Sequence, residues 1–434
     1  HKIPLIIFES TLAPSTMTTI MRTHFESFGL VEGKDILLGN SPNRVMPGRL
    51  VDRVTQSDKL VAGLHPETPR MITEIYSHIV MDGNLYATNS LTAEVVKTLE
   101  NAYRDVRIAY STEVVRYCDQ QDINFYSLRD KVNQKLSQTD TASNNPNAVP
   151  SGGILIPMLG VGGHCLPKDG ILLWWRKAEK GLDTSHSLIL ESRKINNESP
   201  KETIRLAERK FGSLKGKAAT VMGVAYRFNS EDTRNSPSIA LALELEKKGC
   251  KVCLHDPFVK PDDQNLLKFN VANSFTNNLE EALSNSEFLF FGTAHKAYLD
   301  ALQDIFNQAD QCKGIIDACN LFNRTELELL GWAYTGIGRG RQEPSEALVN
   351  YVYKGFRAME RGVANEVKAL TEFLNDNYVN EAFNRVDFQE VRRLAASCST
   401  GCLIPDAGLV EVLTDFQGFS SRLVGFASQP YSLA

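Results

Sequence analysis

The sequence of 434 residues contains no long hydrophobic run. No stretch approaches the ~20 consecutive apolar residues that a membrane-spanning helix needs. The apolar run at residues 3–8 is too short for the core of a signal peptide, and Glu9 follows it directly. We therefore predict neither a membrane anchor nor a secretory leader, and the cytoplasm is the expected compartment.

The sequence also lacks an excess of charge of one sign. It has 47 Lys and Arg against 52 Asp and Glu, which gives a net charge of −5, and the two signs are interleaved. This balance does not indicate a groove for nucleic acid or a polybasic patch for a membrane surface. Neither kind of partner is predicted.

Clustered cysteines are absent as well. A chain of this length with scattered cysteines is not a disulfide scaffold, and reduced thiols fit a cytosolic protein. Cys250 and Cys253 form a C-x-x-C motif, but no second pair stands nearby and a structural zinc site needs four ligands. We predict no metal. The eight cysteines occupy positions 118, 165, 250, 253, 312, 319, 398 and 402.

The composition that is present, 42% hydrophobic and 23% charged, is typical of a globular protein, with room for about three domains. Residues 1–90 alternate strand-length apolar runs with helical patterns. This alternation predicts an open parallel α/β sheet. The pattern starts inside a buried strand, so we expect that part of the sheet is missing before Ile3. Strands are predicted at 3–8, 36–38, 60–64 and near Tyr86, and helices after Pro14 and at 66–80.

A long helix is predicted from residue 92 to about 122, because apolar residues recur there at steps of three and four. Thirty helical residues span ~45 Å, which is more than one small domain requires. We interpret this helix as a spine between two domains or as a subunit interface, and we expect a dimer or larger oligomer. The stripe consists of Val96, Leu99, Tyr103, Val106, Tyr110, Val114 and Tyr117.

A second βα series follows at residues 217–340, after a polar loop at 137–153. Beyond Arg341 the sequence predicts one more helix, with Leu348, Val352, Phe356, Met359 and Val363 on one face. The last fifty or so residues carry no pattern that indicates a function. Strands are predicted at 220–224, 252–254, 288–292 and 314–318, and helices from near Ser236, Asn278, Ala297 and Arg324.

The segment GVGGHCLPKD, from Gly160 to Asp169, is the most informative motif. It places Cys165 after a turn rich in glycine, where backbone can approach a ligand closely. Lys168 and Asp169 stand near enough to tune a thiol, which reacts as its thiolate. Single cysteines beside tight turns are often buried and purely structural, and the motif alone leaves both readings open.

Together with this motif, five further stretches resemble the nucleotide-sugar 6-dehydrogenases, the family of UDP-glucose and UDP-N-acetylmannosamine dehydrogenases. The resemblance runs from about residue 3 to about residue 341, with the stretches in the family's order. They are FESTLAP at Phe8, VVKTLENAYRDVRIA at Val95, MGVAYRFNSEDTRNSP at Met222, HDPF at His255 and GIGRG at Gly336.

The resemblance implies a fold of three parts. They are a Rossmann-like NAD domain, here only its C-terminal part at 1–90, a central helical domain at 91–198 with the dimerisation helix, and a Rossmann-like UDP-sugar domain at 199–341. Residues 342–434 are an extension of unknown role.

The resemblance also implies the reaction. Two NAD molecules oxidise the C6 alcohol of a UDP-sugar to a carboxylate through a thiohemiacetal and a thioester on the loop cysteine, which here is Cys165. Lys97 and Asn101 match the pair that stabilises charge on the reacting oxygen, and their spacing of four puts them on one helix face. Asp169 matches the carboxylate that positions the catalytic water. Without the resemblance, Lys97 would be read as a solvated helix lysine.

By the same correspondence, Thr11, Lys168 and Arg234 are expected to contact NAD. The expected substrate contacts are Arg227, in place of a lysine, the backbone at Arg44 and Val45, Gly162, and the pair Lys97 and Asn101. The turn before the glycines resembles the N-acetylamino-sugar branch. We therefore expect UDP-N-acetylmannosamine, or UDP-N-acetylglucosamine, rather than UDP-glucose.

Three departures from the family pattern bear on activity. Asn43 replaces a glutamate that is a candidate general base, and an amide cannot take up a proton at neutral pH. Cys319 replaces an arginine expected to bind substrate. No G-x-G-x-x-G motif, the fingerprint that seats the NAD pyrophosphate, occurs in the chain. We therefore expect UDP-sugar binding without NADH formation from these 434 residues.

Two other readings remain open. A non-catalytic relative could keep the nucleotide-sugar domain as a binding or scaffolding module, and the three departures favour it. The intact Lys97, Asn101, Cys165 and Asp169 favour an enzyme. UDP-glucose 6-dehydrogenase is the alternative within the family. A plain thiol hydrolase lacks a convincing His–carboxylate pair.

Overall fold

The computed structural model describes residues 3–44, 50–139, 152–397 and 402–429, apart from the side chains of 50, 52 and 53. Val45 and Cys398 lie outside these ranges. In the described part of the chain, no helix is both long and apolar enough to cross a bilayer.

The N-terminal sheet has four strands in the order β1-β2-β3-β4. The predicted strands are present, but the sheet is not wholly parallel. β1 with β2 and β3 with β4 form parallel pairs, whereas β2 and β3 are antiparallel. The prediction of a fully parallel sheet was therefore wrong at this one junction. The strands are Leu5–Phe8, Leu37–Asn40, Lys59–Gly63 and Leu85–Asn89.

Three helices accompany this sheet, and a short π-helix at Met17–Met21 runs directly into the first. The helix predicted at 66–80 is shorter than expected and becomes α3. The described residues pair β1 only with β2, so its outer edge carries no strand. The three helices α1–α3 are Arg22–Glu26, Leu50–Gln56 and Thr68–Tyr76.

The central part consists of four helices, α4–α7. The first of them, α4, covers Ser90–Gln120 and confirms the predicted long helix. Asn89 caps its N-terminus, because the Asn89 side chain accepts a hydrogen bond from the Thr92 N–H at 2.8 Å. α4 packs against its neighbours along its length, so most of its side chains are buried. The other three, α5–α7, are Phe125–Thr139, Leu166–Glu179 and Leu188–Phe211.

The second sheet is parallel throughout and has six strands in the order β10-β9-β8-β5-β6-β7. All four predicted strands are present, and the structure adds the short outer strands β7 and β10. β5–β10 are Ala218–Met222, Lys251–His255, Phe275–Thr276, Phe288–Phe291, Gly314–Asp317 and Tyr334–Gly336. α8–α13 are Pro237–Lys247, Gln264–Lys268, Leu279–Leu283, Lys296–Asp300, Leu302–Gln308 and Arg324–Leu329.

Among its described residues, the C-terminal part forms three α-helices, namely α14 at Glu346–Tyr378, α15 at Phe388–Ser397 and α16 at Arg422–Ala427, and a short 3-10 helix at Ala382–Asn384. The five apolar residues predicted for one face of α14 are all buried. Tyr103 and Tyr110 of the α4 stripe are buried too, and they lie within the single chain. The stripe therefore does not by itself indicate a subunit interface. The expected dimer stays a prediction that no longer rests on this stripe.

Candidate active site

Cys165 ends the glycine-rich loop and immediately precedes α6. Its side chain is exposed and makes no capping hydrogen bond. Its carbonyl oxygen accepts the N–H groups of Lys168 and Asp169 at 3.1 and 3.0 Å, which starts the helix. The thiol therefore lies at the positive end of the α6 dipole, an electropositive and accessible setting typical of reactive cysteines.

The glycines of the loop are required by a close approach to the segment after β5. A Cβ at Gly162 would lie 2.5 Å from the Tyr226 Cβ, and Gly163 has a φ of +85°. The Gly163 N–H donates to the Arg234 carbonyl at 2.8 Å, and the Asn235 amide donates to the Gly163 carbonyl at 2.9 Å. These contacts fix the Cys165 loop against the second sheet.

Of the predicted helix pair, Asn101 contacts the first turn of α6, directly after the Cys165 loop. The Asn101 amide donates to Asp169 Oδ2 at 2.6 Å, and the Lys168 ammonium donates to Asp169 Oδ1 at 2.6 Å. The Asp169 carboxylate is fully buried. Lys97 lies one turn before Asn101 and is buried too, unlike a solvated helix lysine. Within the described part of the chain its ammonium donates no hydrogen bond, so it is available to a ligand.

Behind this group, Arg44 forms an ion pair with Glu100 at 2.5 Å, and both side chains are nearly inaccessible. The guanidinium also donates to Ser397 Oγ at 3.3 Å and to the Leu394 carbonyl at 3.2 Å, at the end of α15. Burial raises the pKa of Glu100 against the attraction of Arg44 and Lys97. The Arg44 side chain therefore has all these partners within the protein. The substrate contact predicted for the backbone at Arg44 and Val45 includes Val45, which lies outside the described residues.

Two further cations follow β5. The Arg234 guanidinium donates to the Asp232 carboxylate, with Nη2 at 2.5 Å from Oδ2. These hydrogen bonds are the main reason why the pKa of Arg234 is raised, and the charge of Asp232 acts in the same direction. The Arg227 guanidinium lies 5.9 Å from the centre of the Phe228 ring.

The loop that carries Thr11 is attached to both helices of the site. Glu94 of α4 accepts the N–H groups of Ser15 and Met17 at 2.7 and 2.9 Å. Arg176 of α6 donates from Nε to the Pro14 carbonyl at 2.9 Å. Glu94 is a further site residue that the sequence did not predict. Its spacing was the available signal, because it precedes Lys97 by three residues on the same helix face.

Burial raises the pKa of Glu94 from 4.5 to about 8. Below pH 4.5 the carboxyl is protonated in both the folded and the unfolded chain. Between these two values the unfolded chain releases the proton first, so the contribution of Glu94 to stability is lost as the pH rises toward 8. Glu94→Gln, which carries no charge, should remove this loss.

We expect the free energy of unfolding of Glu94→Gln, relative to the parent, to rise by roughly 2–4 kcal/mol between about pH 4.5 and about pH 8.5. Urea denaturation at several pH values measures it. Glu74→Gln, at an exposed site on α3, is the matched control and should follow the parent. Parallel curves for Glu94→Gln and the parent would contradict the assignment.

Asn43, the first departure, lies in a polar cluster at the ends of β1 and β2. Its Oδ1 accepts from the Lys59 ammonium at 3.1 Å, and its Nδ2 donates to Glu9 Oε2 at 3.4 Å. Tyr76 donates its hydroxyl to the same Glu9 carboxylate. The amide is therefore fixed in place by its neighbours. A carboxylate, Glu9, which sequence reasoning did not single out, lies beside it.

Cys319, the second departure, is buried. Burial raises the pKa of its thiol well above the usual range. The Asp317 carboxylate accepts its thiol at 3.7 Å and the N–H groups of Leu321 and Phe322 at 3.0 Å. The loop after β9 therefore presents no charge at this position.

The C-x-x-C pair lies at β6. Cys250 is buried, and its thiol donates to the Leu214 carbonyl at 3.2 Å. Over the described ranges, no group of three or more His, Cys, Asp or Glu side chains is arranged to hold a metal ion.

Comparison with known proteins matches two parts of the chain to one family. Residues 91–198 match the central domain of the UDP-glucose/GDP-mannose dehydrogenase family. Residues 220–324 match the UDP binding domain of the same family. The first match contains all of α4 except Ser90, together with Cys165 and Asp169, and the second contains Arg227 and Arg234.

Relatives of known name agree with these matches. The UDP-N-acetyl-D-mannosamine dehydrogenase of Methanococcus aeolicus is 29% identical over 342 residues, which cover 78% of this chain and 70% of the relative. The enzyme of the same name from Pyrococcus horikoshii is 29% identical over 340 residues, covering 77% of this chain and 73% of the relative.

A solved structure is similar over the same share of the chain. The crystal structure of NDP-N-acetyl-D-galactosaminuronic acid dehydrogenase from Methanosarcina mazei superposes with a TM-score of 0.65 at 30% identity, covering 77% of this chain and 70% of that one. On sequence and fold together, the chain belongs to the UDP-glucose/GDP-mannose dehydrogenase family of oxidoreductases.

Proposed function

We propose that the chain binds a UDP-N-acetylhexosamine, with UDP-N-acetyl-D-mannosamine as the leading candidate, and holds its C6 against Cys165. The exposed Cys165 thiol at the start of α6, beside the buried Asn101–Asp169 pair, is the observation that carries this proposal. The names of the relatives support the choice of sugar. The chemistry is that of a nucleotide-sugar 6-dehydrogenase.

Each residue of the group has a role in this proposal. Cys165 is the nucleophile toward a C6 aldehyde, and the ammonium of Lys97 neutralises the charge that develops on the aldehyde oxygen. Asn101 donates one amide N–H to Asp169 and keeps its other N–H for the same oxygen. A preorganised donor of this kind contributes about 3–4 kcal/mol to the transition state. Asp169, held by two hydrogen bonds, orients the water for hydrolysis.

NAD is the oxidant that the resemblance implies, and it would accept the hydride from C6. Thr11, Lys168 and Arg234 are the proposed contacts. The two cations among them already form ion pairs, Lys168 with Asp169 and Arg234 with Asp232. The loop between β1 and the π-helix has no glycine-rich turn to seat a pyrophosphate. The described residues therefore do not fit a complete NAD site.

A second candidate function is nucleotide-sugar binding without catalysis. Asn43, which cannot act as a base, and the buried, uncharged Cys319 favour it. The two candidates differ in whether Cys165 reacts with the C6 aldehyde of a bound UDP-sugar, and not in NADH formation. We expect binding of the sugar nucleotide without NADH, and sustained NADH formation would establish a cofactor site of another design.

Calorimetry with three ligands tests the substrate class. We expect UDP-N-acetylmannosamine or UDP-N-acetylglucosamine to bind with at least about tenfold higher affinity than UDP-glucose, a difference of about 1.4 kcal/mol. Arg227→Ala should weaken binding of all three, whereas Arg205→Ala, an exposed arginine on α7, should not. Tighter binding of UDP-glucose would overturn the assignment of the sugar.

A further inference from the structure

The segment after β5, defined as residues 223–235 and called the β5 loop, carries Arg227 and the surface on which the Cys165 loop packs. All thirteen residues are described, and none of them lies in a helix or strand. A Cβ at Gly163 would lie 2.9 Å from the Tyr226 ring, so Tyr226 supports the Cys165 loop directly. The conformation of the β5 loop therefore depends on its contacts with other parts of the domain.

A buried carboxylate holds the first residues of the β5 loop. Asp256, directly after β6, is fully buried, and its Oδ2 accepts the N–H groups of Val224 and Ala225 at 2.7 and 2.9 Å. Its Oδ1 accepts the N–H groups of Phe258 and Val259 at 2.8 and 3.1 Å. The carboxylate therefore ties the start of the β5 loop to the turn after β6.

A buried histidine connects this carboxylate to a later point in the β5 loop. His295, after β8, is fully buried, with its Nε2 3.0 Å from Asp256 Oδ2. Its Nδ1 accepts the Asn229 N–H at 2.9 Å. Because a backbone N–H only donates, Nδ1 carries no proton, and the ring proton lies on Nε2 and is donated to Asp256. The imidazole is thus a bridge with both nitrogens in use.

Arg227 lies between the two points that this pair holds, two residues after Ala225 and two before Asn229. Asn229 has a φ of +51°, a left-handed conformation that few residue types adopt readily. Its Oδ1 also accepts the Lys296 N–H at 3.0 Å, at the start of α11. A span of five residues that is fixed at both ends leaves the Arg227 backbone little freedom.

We propose that Asp256 and His295 are positioning residues, which hold the β5 loop so that Arg227 reaches the sugar nucleotide and Tyr226 supports the Cys165 loop. Neither side chain reaches the substrate, because neither is accessible. Apolar residues of similar volume often fill such a space without loss of stability, whereas a fully paired polar network fixes one conformation. The proposal rests on the role of Arg227 in the proposed function.

Two substitutions of His295 separate its two hydrogen bonds. In His295→Asn the amide oxygen takes the position of Nδ1 and keeps an acceptor for Asn229, whereas in His295→Gln the amide nitrogen takes the position of Nε2 and keeps the donor to Asp256. We expect calorimetry to show at least about tenfold weaker binding of UDP-N-acetylmannosamine for His295→Gln, and a change within about threefold for His295→Asn. Any other order of the two affinities overturns the proposal.

Hydrogen exchange of residues 224–229 without ligand separates the positioning role from the role of Arg227. The exchange should be faster in His295→Gln than in the parent and nearly unchanged in His295→Asn. Unchanged exchange in both variants contradicts the positioning role. Faster exchange with unchanged affinity contradicts the assignment of Arg227 instead. In an Arg227→Ala background, His295→Gln should weaken binding by less than about twofold, because the contact that it positions is already lost.

Asn229→Gly keeps the test valid if neither histidine variant folds. Glycine adopts the left-handed conformation freely, so the change removes only the side-chain acceptor of the Lys296 N–H. We expect at least about threefold weaker binding of UDP-N-acetylmannosamine. Asn270→Gly, at an exposed residue with a φ of +57°, is the matched control and should bind like the parent. Equal affinities of these two variants would contradict the proposal.

Discussion

Iodoacetamide should alkylate Cys165 at least about ten times faster than any other cysteine that the structure describes. Cys165 is exposed at the start of α6, whereas the other described cysteines are buried or partly buried. Burial raises the pKa of the Cys118 and Cys319 thiols, which keeps them protonated and slow. Peptide mass spectrometry over a time course measures the rate at each cysteine separately.

Cys402, which is partly exposed, is the matched comparison for access alone. Cys165→Ser should remove the fast phase and leave the labelling of Cys402 unchanged. Cys165→Ser should also keep the affinity for UDP-sugars, because the thiol is proposed to react with the sugar rather than to hold the nucleotide. Equal labelling rates at Cys165 and Cys402 would rule out a specially reactive thiol.

Glu366→Ala should lower the free energy of unfolding by about 3–5 kcal/mol. The Glu366 carboxylate accepts hydrogen bonds from the side chains of Trp174 and Ser187 and from the N–H groups of Leu188 and Ile189. Alanine would leave these buried donors without an acceptor, and the N-terminus of α7 would lose its negative partner. Urea denaturation followed by circular dichroism measures the change.

Glu366→Gln is the control, since it keeps the shape and one acceptor oxygen and should lose distinctly less stability. Glu372→Gln, at an exposed position on the same helix, should have no measurable effect. A loss below about 1 kcal/mol for Glu366→Ala, within the range of ordinary surface substitutions, would show that α14 does not support α7 in the way described.

The elements that the sequence predicted are those whose periodicity alone defines them. α4 and α14 repeat apolar residues every three or four positions, and the strands of the second sheet are short apolar runs. Periodicity does not define direction, so the antiparallel pairing of β2 with β3 was missed. It does not define the partner either. The stripe of α4 looks the same whether a second copy or α14 covers it.

The site was predictable where its residues are close in sequence or match a motif. Asn101 and Asp169 belong to two motifs of one family, and they are hydrogen-bonded in the structure. The ion pair between Arg44 and Glu100 was not predictable, because it joins residues far apart in sequence and depends on how two domains pack. Glu94 was missed for a different reason, since a charged residue within a helix is usually solvated.

The central claim, that a nucleotide sugar places its C6 at Cys165, is tested most directly by substrate protection. The alkylation rate of Cys165 is measured with and without saturating UDP-N-acetyl-D-mannosamine, with Cys402 as the internal reference. The sugar nucleotide should slow Cys165 at least about tenfold and leave Cys402 unchanged, because a bound ligand shields only the thiol that it contacts. Binding of the sugar nucleotide, seen by calorimetry, with no protection of Cys165 would contradict the account.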